Sequence, residues 1–143
     1  MSRAEETILI DASPAKVYGI ITDYERYPEF LPEMTSVTIE SRHDNVVVAR
    51  FDLELMMMRF SYTLRLEENP PAALSWTLHE SKMMIANDGE WTLTAEGDKT
   101  RATYALAVEL MGLLPKSVRD RLVGTTLPQT LERFKQRAEE WKA

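Results

Sequence analysis

Between about Thr35 and Leu110 the chain alternates apolar and polar residues with a period of two, and no other feature constrains its fold as strongly. Successive side chains of a strand point to opposite faces, so such a run describes strands with one face on a core and the other in water. Val37 and Ile39 alternate with Thr38 and Glu40. Val47, Ala49, Phe51, Leu53 and Leu55 form the next inward set; Met58, Phe60, Tyr62, Leu64 and Leu66 follow, with Arg59, Ser61, Thr63 and Arg65 facing out between them. Leu74, Trp76 and Leu78 continue the series, and Glu80 joins them if the strand extends that far. Gly89, Trp91, Leu93 and Ala95 come next, then Ala102, Tyr104, Leu106, Val108 and Leu110. The turns Glu68-Asn69-Pro70-Pro71 and Glu96-Gly97-Asp98-Lys99 are short, and short connections require antiparallel neighbours, because a parallel pair needs a long crossover.

The flanks change period. Thr7 to Asp11 is a further β-rich run, which brings the expected strands to seven. It ends at Ser13-Pro14, a good N-cap followed by a residue suited to the first helical position. A helix from about Pro14 to Thr22 follows, with Val17, Ile20 and Ile21 on one stripe, and a second short helix over Asp23 to Phe30 is limited by Pro28 and Pro32. From Pro115 to Ala143 the spacing is helical again: Val123, Leu127, Leu131, Phe134, Ala138 and Trp141 share a stripe, and Gly124 and Pro128 predict a kink near 124 to 128. The order of elements predicts an α+β fold, a curved seven-stranded antiparallel sheet wrapped around a long C-terminal helix, with two short helices after the first strand. Sheet and helix in such a wrap need not meet along their whole length, which predicts a cavity between them.

Composition narrows the partners. The 143 residues, 44% hydrophobic and 28% charged, suit one domain spanning 1–143, and no Gly/Ser linker or repeat divides them. The absence of cysteine excludes disulfides, a thiolate nucleophile and Cys-ligated metal. A net charge of −6 argues against nucleic acid as the main partner. Residues 115–143 nevertheless hold seven Lys/Arg against four Asp/Glu, while residues 1–114 hold ten against nineteen. No secretory leader and no run of 18 apolar residues is present, so a cytoplasmic protein is expected, and any membrane contact would be transient.

Two segments carry a family resemblance. The first is Ile10-Asp11-Ala12-Ser13-Pro14 with Val17-Tyr18; the second runs from Ile21 to Pro32 and contains Asp23, Tyr27-Pro28, Phe30 and Pro32. Gly89-Glu90-Trp91-Thr92-Leu93 and Tyr104 add a late hairpin. On these residues the chain resembles the START-like (SRPBCC) helix-grip superfamily, in particular its polyketide cyclase/dehydrase and coenzyme Q-binding branch, which includes ribosome-association toxin-like proteins. It departs from the coenzyme Q and toxin-like groups at Glu33-Met34, where those relatives often carry an aromatic and a cysteine. The resemblance implies the helix-grip fold. It implies no single activity, because one scaffold hosts transport, cyclisation and sensing.

The expected site lies on the inward face of the sheet. Phe51, Phe60, Tyr62, Trp76, Trp91 and Tyr104 are its aromatic members, and Tyr62, Tyr104 and Glu80 are its candidate polar groups. Three Met-bearing segments, Met56-Met57-Met58, Met83-Met84 and the stretch at Met111, fall at one end of the meander. They form either a soft hydrophobic mouth or the edge of the core; Met58, Met83 and Met111 are its candidate ligand contacts. Catalytic residues are not expected: there are two histidines, His43 in a turn and His79 on an outward parity, and no spacing suits a metal or a cofactor. The expected function is binding or carriage of a hydrophobic small molecule such as a lipid, quinone or polyketide-like compound. The alternatives are a polyketide aromatase/cyclase using Tyr62, Tyr104 or Glu80, and a ribosome- or protein-binding module using the basic face of residues 116–137.

Overall fold

The computed structural model describes residues 2–55, 57–112, 115–116 and 127–141. Its elements are β1 (Ser2–Ile10), α1 (Pro14–Ile21), a 3₁₀ helix (Tyr24–Glu29), β2 (Met34–His43), β3 (Val46–Leu55), β4 (Met58–Asn69), β5 (Ala73–Ser81), β6 (Met84–Glu96), β7 (Lys99–Leu110) and α2 (Leu127–Glu140). The seven strands form one antiparallel sheet in the order β1-β7-β6-β5-β4-β3-β2, the expected meander closed by the first strand. This is the helix-grip arrangement: a curved sheet holds α2, with α1 and the 3₁₀ helix beside it.

Three details differ from the sequence-based expectation. The strand expected over Thr7 to Asp11 starts instead at Ser2, because it pairs with β7 from Ser2 opposite Val108 to Ile10 opposite Thr100. The polar stretch SRAEE hides this extension, since an edge strand can satisfy its ladder without an apolar face. The second short helix is a tight 3₁₀ helix, as its internal Pro28 favours. Ala95, assigned inward by alternation, is exposed beside the β6–β7 turn.

Hydrogen bonds fix the helical insertion against the sheet. Ser13 caps α1, its Oγ accepting from the Lys16 N–H at 3.3 Å. The buried Thr100 hydroxyl donates to the Ala12 carbonyl at 2.7 Å, tying the β1–α1 junction to β7. Tyr18 donates to the Ala73 carbonyl at 3.0 Å and Tyr24 to Glu68 Oε2 at 2.7 Å, so both helical pieces are pinned to the β4–β5 end of the sheet.

On α2, Leu131, Phe134 and Ala138 are buried in the main core. Trp141 packs at its edge, between the guanidinium groups of Arg26 (5.3 Å) and Arg137 (4.4 Å), which gives it an intramolecular role. Glu139 Oε2 accepts the Asp11 N–H at 2.7 Å, and Arg137 pairs with Glu29 of the 3₁₀ helix. The helical segment expected before Leu127, the kink near 124 to 128, and the side chains of Val123 and Leu127 lie outside the described residues.

Candidate functional site

The strands from β2 to β7, the 3₁₀ helix and α2 enclose a cavity of about 180 Å³. Seven aromatic rings line it and touch in an unbroken series. Tyr62 stacks on Phe51 at 5.4 Å, and Phe51 meets Tyr27 at 6.2 Å. The Tyr27 ring meets Phe134 edge-on at 5.4 Å, and Phe134 meets Trp91 at 5.2 Å. Trp91 then contacts Tyr104 at 4.9 Å, and Tyr104 contacts Trp76 at 5.5 Å. Edge-to-face and offset pairs of this kind are worth about 0.5–1.5 kcal/mol each beyond simple burial, so the wall is stiff as well as apolar.

The floor depends on one glycine. Trp76 lies flat over Gly89 on the neighbouring strand; a Cβ there would stand 2.1 Å from Trp76 Cζ2 and 2.3 Å from Cε2. Only hydrogen at this position lets the indole lie against the sheet. Its N–H donates to Asn87 Oδ1 at 3.1 Å, and the Asn87 amide nitrogen approaches Met84 Sδ at 3.6 Å. Asn87 is thus a buried amide whose two ends are both engaged.

The remaining polar groups are few. Tyr27 donates its hydroxyl to the Ile21 carbonyl. The hydroxyls of Tyr62 and Tyr104 make no hydrogen bond among the described residues. No fully buried polar side-chain atom among those residues lacks a partner, so both hydroxyls keep some accessible surface, on residues that line the cavity. Burial pushes the pKa of Tyr62 up; burial and then the neighbouring Tyr62 push up that of Tyr104. Burial raises Tyr27 as well, followed by the nearby Tyr104 and Tyr62. All three are neutral phenols at physiological pH. Glu33 is the one carboxylate among the described lining residues, and none of them is Lys, Arg or His.

Of the residues expected in the site, Phe51, Tyr62, Trp76, Trp91 and Tyr104 line this cavity. Phe60 is buried instead in a second cluster with Leu55, against which Leu53, Met83 and Leu110 pack. Glu80 is exposed. The register shifts between Thr63 and Leu64, so that Glu80 lies opposite Thr63 while Leu78 lies opposite Leu64; His79 is the extra residue, and the bulge turns Glu80 outward. Met58 and Met111 are exposed at the end of the sheet, where the Met111 N–H donates to the Met83 carbonyl at 2.7 Å, and neither they nor Met83 are among the described residues lining the cavity. Met57 and Ile85 stand out further at the same end, and Met56 lies outside the described residues.

The sequence-based site omits Tyr27, Phe134, Asn87, Met84 and Glu33. Tyr27 and Phe134 carry a visible signal, a Tyr-Pro step and a helical stripe, but one that equally describes core packing. Asn87 follows from parity: counting back in twos from Trp91 through Gly89 reaches it. Met84 does not, because a bulge between Met84 and Ala86 resets the alternation and brings Met84 inward.

The family model described as polyketide cyclase / dehydrase and lipid transport matches residues 10–135. The chain belongs to this family. No curated protein matches it. Its fold is that of a START superfamily protein from Mycobacterium smegmatis, with a TM-score of 0.84 at 20% identity, covering 98% of this chain and 99% of the other. It is also that of an aromatase/cyclase from a Streptomyces species, with a TM-score of 0.82 at 17% identity over 96% and 93%. A STAR-related lipid transfer protein from Xanthomonas axonopodis gives a TM-score of 0.74 at 15% identity over 96% and 86%. Among the described residues no helix is long and apolar enough to cross a membrane.

Proposed function

We propose that this family member binds and carries a hydrophobic small molecule, a lipid, quinone or polyketide-like compound, in the cavity between sheet and α2, without transforming it. The observation that carries this proposal is the series of seven touching rings around about 180 Å³, with no Lys, Arg or His among the described lining residues. An apolar cavity of roughly 150 Å³ accepts a benzene molecule, so the part of the ligand held in about 180 Å³ amounts to about one ring and its small substituents. Burial of its surface supplies about 25 cal/mol per Å², which is the main source of affinity when so few polar groups are present. Solvent extraction of freshly purified protein, followed by mass spectrometry against a heat-denatured mock preparation, tests the proposal. A stoichiometric apolar compound is the expected result. An empty extract, together with failure of one- and two-ring compounds to bind in titration, refutes it.

A second reading, an aromatase/cyclase, is supported by the hydroxyls of Tyr62 and Tyr104, unpartnered among the described residues, in the same cavity as the Glu33 carboxylate. With their pKa values raised by burial, these phenols suit proton donation and not proton abstraction at neutral pH. Product formed from a polyketide-like substrate, and lost in Tyr62→Phe or Tyr104→Phe while binding persists, favours this reading over simple carriage. A ribosome- or protein-binding role through the basic C-terminal face has less support. Lys135 and Arg137 are already paired with Glu139 and Glu29.

A further inference from the structure

We infer that Asn87 is the polar recognition group of the cavity, its carboxamide N–H donating to a carbonyl or other acceptor oxygen carried by the ligand's ring. This inference rests on the carrier proposal and specifies the ligand.

The chemistry of the neighbours fixes the amide. Asn87 is 5% exposed and lines the cavity from β6, where it is the inward residue next to Gly89, over which the Trp76 indole lies. An indole N–H donates and cannot accept, so the end of the amide 3.1 Å from Trp76 Nε1 is its oxygen. Flipped, the amide would set its own NH₂ against another donor and leave both unpaired. The NH₂ is therefore turned toward Met84, whose Sδ lies 3.6 Å from Asn87 Nδ2.

That nitrogen carries two N–H groups, and the thioether, a weak acceptor, engages at most one of them. No other acceptor reaches Nδ2 among the described residues. A buried N–H without an acceptor is rare in folded proteins, whereas a spare lone pair on a carbonyl oxygen is often left idle. The demand of Asn87 is thus for an acceptor. Tyr62 and Tyr104 make no such fixed demand, because a phenolic hydroxyl turns about its C–O bond and both donates and accepts. Trp76, Asn87 and Met84 all line the cavity, so the acceptor comes from whatever fills it. A ring ketone, quinone or ester carbonyl meets the demand. A hydrocarbon of the same shape displaces water from this N–H and leaves it unpaired.

The test compares acetophenone with cumene, one-ring probes of equal heavy-atom count, titrated calorimetrically into the full chain. The quantity read is the ratio of their affinities, in which changes of fold or cavity shape largely cancel. Asn87→Leu should lower the ketone-to-hydrocarbon ratio about tenfold while cumene still binds. Because this substitution also strips the Trp76 N–H of its acceptor, the comparison is repeated between Trp76→Phe and Trp76→Phe/Asn87→Leu, where no indole N–H is left behind. The ratio should fall in this pair as well. The infrared carbonyl stretch of bound acetophenone should lie at lower frequency in the parent than in Asn87→Leu. A ratio that holds between the two Trp76→Phe variants, or a carbonyl stretch that stays low in Asn87→Leu, assigns the donor elsewhere and overturns the inference, with the carrier proposal still standing. Failure of both probes to bind the parent chain counts against the carrier proposal and takes this inference with it.

Discussion

Gly89→Ala is the smallest change that should close the cavity. The added Cβ would lie 2.1, 2.3 and 2.7 Å from Trp76 Cζ2, Cε2 and Nε1, whereas non-bonded carbons settle at about 3.5–4.0 Å. The indole must therefore withdraw by more than about 1 Å. The sheet backs it on one side, Tyr104 packs against it at 5.5 Å, and Asn87 holds its N–H, so the free direction is into the cavity. Over-packing of this kind costs about 1–3 kcal/mol, and loss of the Trp76–Asn87 hydrogen bond adds about 1 kcal/mol. For a chain of this length a total of about 2–4 kcal/mol corresponds to a fall in Tm of roughly 6–12 °C. Ligand affinity should fall by more than stability does, because the displaced ring occupies the space the ligand needs.

Thermal unfolding by circular dichroism, paired with titration of a one- or two-ring compound, measures both effects. The double variant Gly89→Ala/Trp76→Leu should recover part of the lost Tm, since the clash disappears with the indole. A Gly89→Ala protein that melts within a degree of the parent and binds equally well would show that Trp76 does not rest on Gly89, and the account of the cavity floor would fail.

Other consequences are simpler to check. Tyr27→Phe strips the Ile21 carbonyl of its buried donor and should cost about 1–3 kcal/mol in urea unfolding, with the rings otherwise undisturbed. Asn87→Leu leaves the Trp76 N–H without an acceptor and should cost a similar amount; a shifted tryptophan emission maximum should accompany it. Stability should also fall in acid. Glu139 is lowered by the hydrogen bond from Lys135 and then by that from the Asp11 N–H; burial acts to raise Asp52, but hydrogen bonds from Ser61, Ser36 and Arg50 together bring it below its usual value. A carboxylate lowered in the folded state adds stability above its unfolded pKa, and that contribution disappears as the pH drops through the lowered value. Urea midpoints should therefore decline below about pH 4, and Glu139→Gln and Asp52→Asn should each flatten that decline. Ligand binding in the cavity, by contrast, should be level from about pH 6 to 9, because burial keeps the lining phenols of Tyr62 and Tyr104 protonated throughout.

The architecture is legible in the sequence because each element has a repeating reason to exist. On β3, Val47, Ala49, Phe51 and Leu55 are all buried, and on α2 the same is true of Leu131, Phe134 and Ala138, as their periods require. Where repetition is missing, legibility ends. The first residues of β1 form a strand through backbone pairing with β7, and Ala4 is their one side chain packed against the core, which leaves no repeating pattern to read.

The site is less legible, because its composition turns on single residues that break the period. At His79 one extra residue sends Glu80 outward and removes the carboxylate that alternation would place among the rings. At Ile85 another extra residue brings Met84 inward and leaves Ile85 exposed. A one-residue slip exchanges the two faces of a strand, and nothing in a list of side chains marks where the backbone takes it. Chemistry follows from these two slips. With Glu80 inside, Tyr62 and Tyr104 would share the cavity with a second carboxylate besides Glu33. With Glu80 outside, Glu33 is the one carboxylate among the described lining residues, and the hydroxyls of Tyr62 and Tyr104, without a hydrogen-bond partner among those residues, belong to a cavity whose lining is otherwise mostly apolar.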